Sequence, residues 1–329
     1  MLNSIHQSKD CALYQVAQKP GETLETIIAS TPLTREICND PLVFGVNYTR
    51  RLRTACSNIM QGLQNEGHLS LEEKETIVFN ILRGGLNFGL REALAEAFDW
   101  NLHGSSFISA QRARNSSNSE DWHIVESEYQ KVYMPKCASI VLGDVVATGT
   151  SLQHALDALL QSAQDQGTEL KSILFFTYGG ERSREILSRV DRICREKFPN
   201  YERTTLVFLE GIFTIPTPDY PQRVKITGTD LLRYKSLMAP EFVESQYLYP
   251  SFPLERCTIY DAGSRAFWLP EYLEDVYEYW EQNLALAREG VSFEELLKER
   301  FPRLDASRYG DVNLEKLCLS RLEKLATHR

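Results

Sequence analysis

The residues of this chain best suited to chemistry lie between Gly143 and Ser151, where an apolar run gives way to one carboxylate, Asp144, and then to the turn ATGTS. Small side chains let backbone N–H groups converge on one point, and hydroxyls add further donors, an arrangement that binds phosphate. Five residues separate Gly143 from Gly149, and a threonine follows. The turn is therefore not the nucleotide P-loop, which has four residues between its glycines and then a lysine.

Two regular elements must position this turn. Residues 139–142, SIVL, are mostly apolar and are typical of a buried parallel strand. Beyond the turn, leucines and alanines from Leu152 to Ala163 repeat at the spacing of one helical face. Asp144 would then stand at the carboxyl end of a strand, where open α/β sheets place groups that contact ligands. An ordinary strand-to-helix turn with an exposed aspartate is the alternative interpretation.

A second strand, loop and helix precede the first. Residues 76–82, TIVFNIL, are continuously apolar, and they lead into Arg83, Gly84 and Gly85 and then into the helical pattern REALAEAF. Glycines let the backbone approach an anion closely, and an arginine offers five donors to phosphate oxygens. A plain glycine turn at a strand end is the alternative interpretation of this loop.

These motifs resemble a known family. Residues 140–151, IVLGDVVATGTS, resemble the phosphoribosyl pyrophosphate (PRPP) motif of type I phosphoribosyltransferases, in which two acidic residues follow the strand. Residues 81–86, ILRGGL, are similar to the ILRAGL segment of uracil phosphoribosyltransferases, and residues 261–265, DAGSR, resemble their GDAGDR segment. The similar stretch runs from about residue 75 to residue 268. Gly143 departs from the pattern, because it stands where the family has its first acid.

The resemblance implies a role for each motif. The 5′-phosphate would bind to Ala147, Thr148, Gly149, Thr150 and Ser151, and the pyrophosphate to Arg83, Gly84 and Gly85. The base would lie near Asp261, Ala262 and Gly263. Asp144 would hold the ribose hydroxyls and, with Arg83, carry catalysis.

The polar segment 110–129 would form a flexible lid with Arg112 and Arg114 reaching the pyrophosphate. An ordinary mobile surface loop is the alternative for this segment. Mg²⁺ would come with the substrate, bound mostly by phosphate oxygens and water. The six histidines form no H-x-x-x-H or mixed Cys/His cluster, so a metal site made by the protein alone is not expected.

The implied activity is transfer of the phosphoribosyl group from PRPP to a nucleobase with release of pyrophosphate. Hypoxanthine-type relatives have an acid just before their Thr-Gly, and Ala147 occupies that position here, which favours a uracil-like base. The rival interpretation is a PRPP or nucleotide sensor that lost turnover, which Gly143 favours and Arg83 opposes. A scaffold built on the terminal helices would explain the ends of the chain but neither loop.

Composition limits the size of the core, the class of partner, the location and the state of the cysteines. The chain has 329 residues, 43% of them hydrophobic, so it can bury a large core. Its net charge of −9 argues against a general nucleic-acid binder. The first residues lack a signal pattern, and the chain has no membrane-length apolar run, so a cytoplasmic location is expected. The seven cysteines are scattered and are predicted to be free thiols.

Alternating strands and helices predict an α/β fold with a mostly parallel sheet flanked by helices. The N-terminal segment 1–70 is predicted to be helical, with helices at 22–38 and 48–65. The core would span 71–268, with an insertion rich in proline and tyrosine at about 216–255, and a helical extension would cover 269–329. An aromatic stripe in the helix predicted at 270–289 is typical of a core or a subunit interface. A homodimer or higher homo-oligomer is expected.

Overall fold

A computed structural model describes residues 2–82, 84–114, 122–126, 129–227, 230–256 and 268–328. The strands are β1 (Leu2–Gln7), β2 (Ala12–Val16), β3 (Glu25–Ser30), β4 (Thr76–Ile81), β5 (Gly104–Ile108), β6 (Gln111–Arg114), β7 (Trp122–Glu126), β8 (Gln130–Lys131), β9 (Cys137–Val146), β10 (Glu169–Gly180), β11 (Arg203–Thr214) and β12 (Leu232–Met238). The helices are α1 (Pro32–Asn39), α2 (Gly45–Asn65), α3 (Gly84–Asn87), α4 (Leu90–Phe98), α5 (Thr150–Gln166), α6 (Glu181–Lys197), α7 (Pro240–Ser245), α8 (Leu269–Arg288), α9 (Phe293–Arg300) and α10 (Leu314–Ala326).

One mixed sheet organises the described part of the chain. Its order is β1-β2-β3-β11-β10-β9-β4-β5-β8, and β12 also pairs with β11. The six strands from β3 through β5 in this order are parallel to one another, whereas β1, β2, β8 and β12 pair antiparallel. The predicted α/β class with a mostly parallel, helix-flanked sheet is therefore confirmed.

The central strands are covered on both faces. Every residue of β4 is buried, and so is nearly every residue of β10. Continuous burial without alternation is the mark of a parallel strand between two helical layers. Because the parallel strands run the same way, their carboxyl ends meet at one edge of the sheet, and both predicted loops lie at that edge.

The N-terminal segment differs from its prediction. Residues 25–30 form strand β3 instead of the first half of a helix, and β1 and β2 also extend the sheet. The run ETIIAS is rich in β-branched residues, which suit a buried strand. Helix α1 begins only at Pro32, after Thr31 caps it by accepting a hydrogen bond from Thr34 N–H. The helix predicted at 48–65 is confirmed as α2.

Two other segments carry strands that were not predicted. The proposed insertion contributes β12, which pairs with Gly211 and Ile212 of β11 and so joins the main sheet. In the proposed lid, β6 and β7 pair antiparallel as a separate ribbon, so this segment is not simply an irregular loop. In both cases the strand forms because its backbone pairs with another strand, although the local sequence pattern for a strand is weak.

The C-terminal helices share buried charged groups with the sheet. Arg233 of β12 donates to the Cys38 carbonyl of α1, and Glu255 accepts from Trp280 of α8 and Arg321 of α10. The division of the chain at residues 70 and 268 stays a prediction. The six cysteines in the described ranges are free thiols, as predicted, and Cys257 lies outside those ranges. No helix in the described ranges is long and apolar enough to cross a membrane.

Candidate functional site

The turn between β9 and α5 presents an open helix end. Gly149 is the N-cap of α5, with φ at 78°, and within the described residues this cap has no side-chain hydrogen bond. The first N–H groups of a helix have no partner inside the helix, so they remain available to an anion. The Thr148 and Thr150 hydroxyl oxygens lie 3.3 Å apart beside them, and both residues are half-buried. The turn therefore carries backbone and hydroxyl donors, and their binding of a phosphate stays a prediction.

Packing against α6 holds this turn in place. A Cβ atom at Gly149 would lie 2.4 Å from Ile186 Cδ1 and 3.1 Å from Arg182 Cγ. Only glycine combines that close approach with a left-handed backbone. Ala147 is buried, while Ser151 is half-buried in the first turn of α5.

Asp144 lies two residues before the end of β9 and is half-buried. Its carboxylate accepts a hydrogen bond of 2.9 Å from the Val145 N–H, and its Cα pairs with that of Thr177 on β10. Asp144 thus lies near the carboxyl end of a central strand, as the sequence predicted.

The second predicted loop, at Gly85, lies against β9, the strand that leads into the first loop. After β4 the chain enters the single turn α3, where a Cβ atom at Gly85 would lie 3.2 Å from the carbonyl oxygen of Gly143. The structure therefore brings the Gly84 and Gly85 backbone into contact with the strand that carries Asp144. Arg83 lies outside the described residues, so its part in the site stays a prediction.

Gly143 has a packing reason that the sequence did not show. A Cβ atom built on it would lie 2.5 Å from both Cγ and Cδ1 of Phe88, whose ring is fully buried. Any side chain at position 143 would have to displace that ring. The glycine thus accommodates the second loop, and its presence needs no loss of function to explain it.

The other predicted site residues stay untested. Strand β6 carries Arg112 and Arg114, and its backbone passes near α5. The side chains of these two arginines lie outside the described part of the structure. Asp261, Ala262 and Gly263 also fall outside the described residues. Within the described ranges no cluster of three or more His, Cys, Asp or Glu residues could hold a metal ion.

The sequence missed a cavity of about 590 Å³ next to the turn, which Ala147 and Thr148 help to line. The first residues of α6 and the ends of β11 and β12 form its other walls. One signal could have pointed to it: the strand SILFFTYGG ends in two glycines, and the charged helix start ERSRE follows at the same sheet edge.

The sequence also missed a buried carboxylate at this edge. Glu210 of β11 is fully buried, with φ at 66°, and it accepts hydrogen bonds from Ser30, Thr31 N–H and Thr34. Burial raises the pKa of Glu210 to about 7, although the hydrogen bonds from Thr34 and Ser30 oppose that rise.

No protein-family model matches this chain. No curated protein matches it either. Solved structures similar to it include a hypoxanthine-guanine phosphoribosyltransferase from Bacillus anthracis, with 20% identity, 40% of this chain and 69% of that chain covered, and a TM-score of 0.26. A hypoxanthine phosphoribosyltransferase from Staphylococcus aureus has 15% identity, with 59% of this chain and 89% of that chain covered, and a TM-score of 0.29.

 A third structure, an adenine phosphoribosyltransferase from Trypanosoma brucei in complex with AMP, pyrophosphate and ribose-5-phosphate, is covered over 86% of its own chain. That third match has 15% identity, covers 59% of this chain and has a TM-score of 0.35.

TM-scores this low establish neither a common fold nor a common activity. The names of these three structures refer to hypoxanthine, guanine and adenine, not to uracil. The function of this chain must therefore be inferred from the geometry of its own residues.

Proposed function

We propose that this protein transfers the phosphoribosyl group of PRPP to a nucleobase and releases pyrophosphate. One observation carries the proposal: the glycine loop after β4 lies against the strand that carries Asp144 and leads into the phosphate-binding turn, with Gly85 beside the Gly143 carbonyl. PRPP has a 5′-phosphate, a ribose and a pyrophosphate, so it needs two anion sites on either side of a group that binds hydroxyls. We assign the two anion sites to the two loops and the hydroxyl-binding group to Asp144.

The chain's own residues would act mainly by position. Thr148, Gly149, Thr150 and Ser151 would bind the 5′-phosphate at the start of α5, and Asp144 would accept hydrogen bonds from the ribose hydroxyls. The backbone of Gly84 and Gly85, together with Arg83, would bind the pyrophosphate. As the bond from the anomeric carbon to the pyrophosphate oxygen breaks, negative charge grows on the leaving group, and these donors stabilise it.

Mg²⁺ would enter with PRPP. The partly exposed carboxylate of Asp144 is the kind of hard oxygen donor that fits this ion or one of its waters. When bound, the ion would neutralise charge on the pyrophosphate. Phosphate oxygens and water would provide most of its ligands.

The acceptor would be uracil-like, because Ala147 offers no carboxylate to a purine ring and a readily ionised base needs no strong general base. Arg112 and Arg114 would close over the pyrophosphate, and residues 261–263 would read the base edge. Packing of Phe88 against Gly143 supports an enzyme over a decayed sensor, because it gives the glycine a structural purpose.

The test is pyrophosphate release from PRPP and Mg²⁺ with a panel of pyrimidine and purine bases, beside calorimetric binding of PRPP. We expect release with at least one base, and a loss of at least about 100-fold in kcat/KM for Asp144→Asn, since groups that act in the transition state contribute that much. Asp157→Asn, an exposed site on α5, is the control. PRPP binding without release from any base would favour the sensor, and absence of binding would overturn both.

A further inference from the structure

The cavity of about 590 Å³ beside the phosphate-binding turn has the volume of a small-molecule site. Ala147 and Thr148 form one side of it, so a molecule inside would lie next to the proposed phosphoribosyl group. Ile212, Phe213 and Leu237 give it apolar walls. Such walls suit the faces of a planar ring.

The charged groups of the cavity are mostly cationic. Arg182, Arg184 and Lys235 line it, against one carboxylate, Glu181. Two of these four groups are engaged elsewhere: Arg184 is buried and donates from Nε to Glu22 at 3.0 Å, and Glu181 pairs with Lys19. Arg182 and Lys235 therefore set the charge that a ligand would meet.

Arg182 makes only a weak ion pair with Glu185. Its Nη1 lies 2.8 Å from Glu185, but both side chains are about half exposed, and an ion pair of that kind is weak. The stem of Arg182 packs on Gly149, which places this residue between the turn and the cavity.

Lys235 has no carboxylate within salt-bridge distance among the described residues. Its Nζ lies 5.4 Å from the centre of the Tyr234 ring. Its backbone is in the left-handed region, with φ at 58°, although it is neither glycine nor asparagine. Such a strained conformation is concentrated at functional sites.

The start of α6 adds to the same positive region. Gly180 caps this helix of 17 residues without a side-chain hydrogen bond in the described structure, and Glu181 and Arg182 follow it into the cavity wall. The positive end of a helix dipole favours negative charge nearby.

We propose that this cavity receives the acceptor, and that the acceptor is a planar heterocycle bearing an anionic group, such as a carboxylate. Its ring would lie between the apolar walls, and its anionic group would contact Lys235 and Arg182. This inference rests on the proposed function, because it takes the acceptor to lie beside a bound phosphoribosyl group.

Two pairs of probes that differ in charge test the inference. They are uracil with uracil-6-carboxylate, and nicotinamide with nicotinate, each measured in binding to the protein with PRPP and Mg²⁺ and in pyrophosphate release. We expect the anionic member of at least one pair to bind at least about 10-fold more tightly, the effect of one charge-assisted hydrogen bond. Equal or tighter binding of both neutral members would overturn the inference.

Lys235→Met should remove that preference, lowering affinity for the anionic probe about 10- to 100-fold while leaving PRPP affinity unchanged. Lys298→Met, an exposed lysine on α9, is the matched control and should change neither. A preference that survives Lys235→Met would also overturn the inference. Failure of PRPP itself to bind would instead count against the proposed function, so the two failures are distinguishable.

Discussion

Gly143 has no room for a side chain, because the buried ring of Phe88 fills that space. By resemblance it is a missing acid, but in the structure it is the position against which the Phe88 ring packs. A carboxylate there would have to share buried space with an aromatic ring.

We therefore expect Gly143→Asp to lower the free energy of unfolding by at least about 2 kcal/mol, because it combines overpacking with burial of a polar group. Turnover should fall. Urea denaturation and the pyrophosphate assay measure the two effects. In a Phe88→Ala background, Gly143→Ala should cost less than it does in the parent protein, since the ring is gone. A stable Gly143→Asp protein with higher turnover would favour the decayed sensor.

The raised pKa of Glu210 predicts that the stability of the fold depends on pH. Burial raises its pKa from 4.5 to about 7, so the folded protein holds this proton more tightly than the unfolded chain does. Its contribution to stability is fully present below about pH 4.5 and is lost as the pH rises through about 7. The loss amounts to about 3 kcal/mol at most. Unfolding free energies across that range should show this fall in the parent protein.

The substitution Glu210→Gln should flatten that part of the pH profile, because glutamine does not titrate. The exposed Glu281→Gln should leave the profile unchanged. An unaltered slope in Glu210→Gln would mean that other groups cause the dependence.

At the scale of elements, α5 offers a matched pair of glycines. Gly149 at its start and Gly167 at its end both have left-handed backbones, with φ at 78° and 65°. Only Gly149 lacks room for a Cβ atom, because Ile186 lies against it, whereas Gly167 has open space.

Alanine at Gly167 should cost about 1 to 2 kcal/mol of stability through backbone strain, and alanine at Gly149 should cost more, because the clash with Ile186 adds to the same strain. Only Gly149→Ala should also weaken PRPP binding, by at least about 10-fold, because the clash with α6 must shift the donors of the turn. Calorimetry on both variants measures this. Equal affinities would show that the turn does not bind the ligand.

At the scale of the whole molecule, buried ionic contacts join the C-terminal helices to the rest. Arg321 of α10 donates to Glu255 at 2.8 Å, and both side chains are buried. Burial raises the pKa of Glu255, while the charges of Arg321 and Arg233 oppose that rise. The homodimer expected from the sequence stays a prediction.

Removing one partner of a buried ion pair leaves the other charge unpaired. Arg321→Met should therefore cost about 3 to 5 kcal/mol of unfolding free energy. The exposed pair between Arg288 and Glu315, 3.2 Å apart on α8 and α10, gives the control, and Arg288→Met should cost no more than about 1 kcal/mol. Similar losses of unfolding free energy in the two variants would show that the buried pair stabilises the fold no more than the exposed pair does.

The sequence by itself determined the order of strand, turn and helix over residues 139–163, the strand β4 and the α/β class. Those features depend on local periodicity and on the backbone freedom of glycine, both of which are legible in a short stretch of chain. It also placed Asp144 at a strand end.

Only the tertiary structure decided how these pieces meet. The contact of Phe88 with Gly143, the strand β12, and the cavity between Ala147, Arg182 and Lys235 each join residues that are far apart in the chain. Their positions follow from sheet order and from which surfaces pack together, and neither has a local signature. The small-residue turn after β9 could be found in the sequence, whereas the cavity beside it could not.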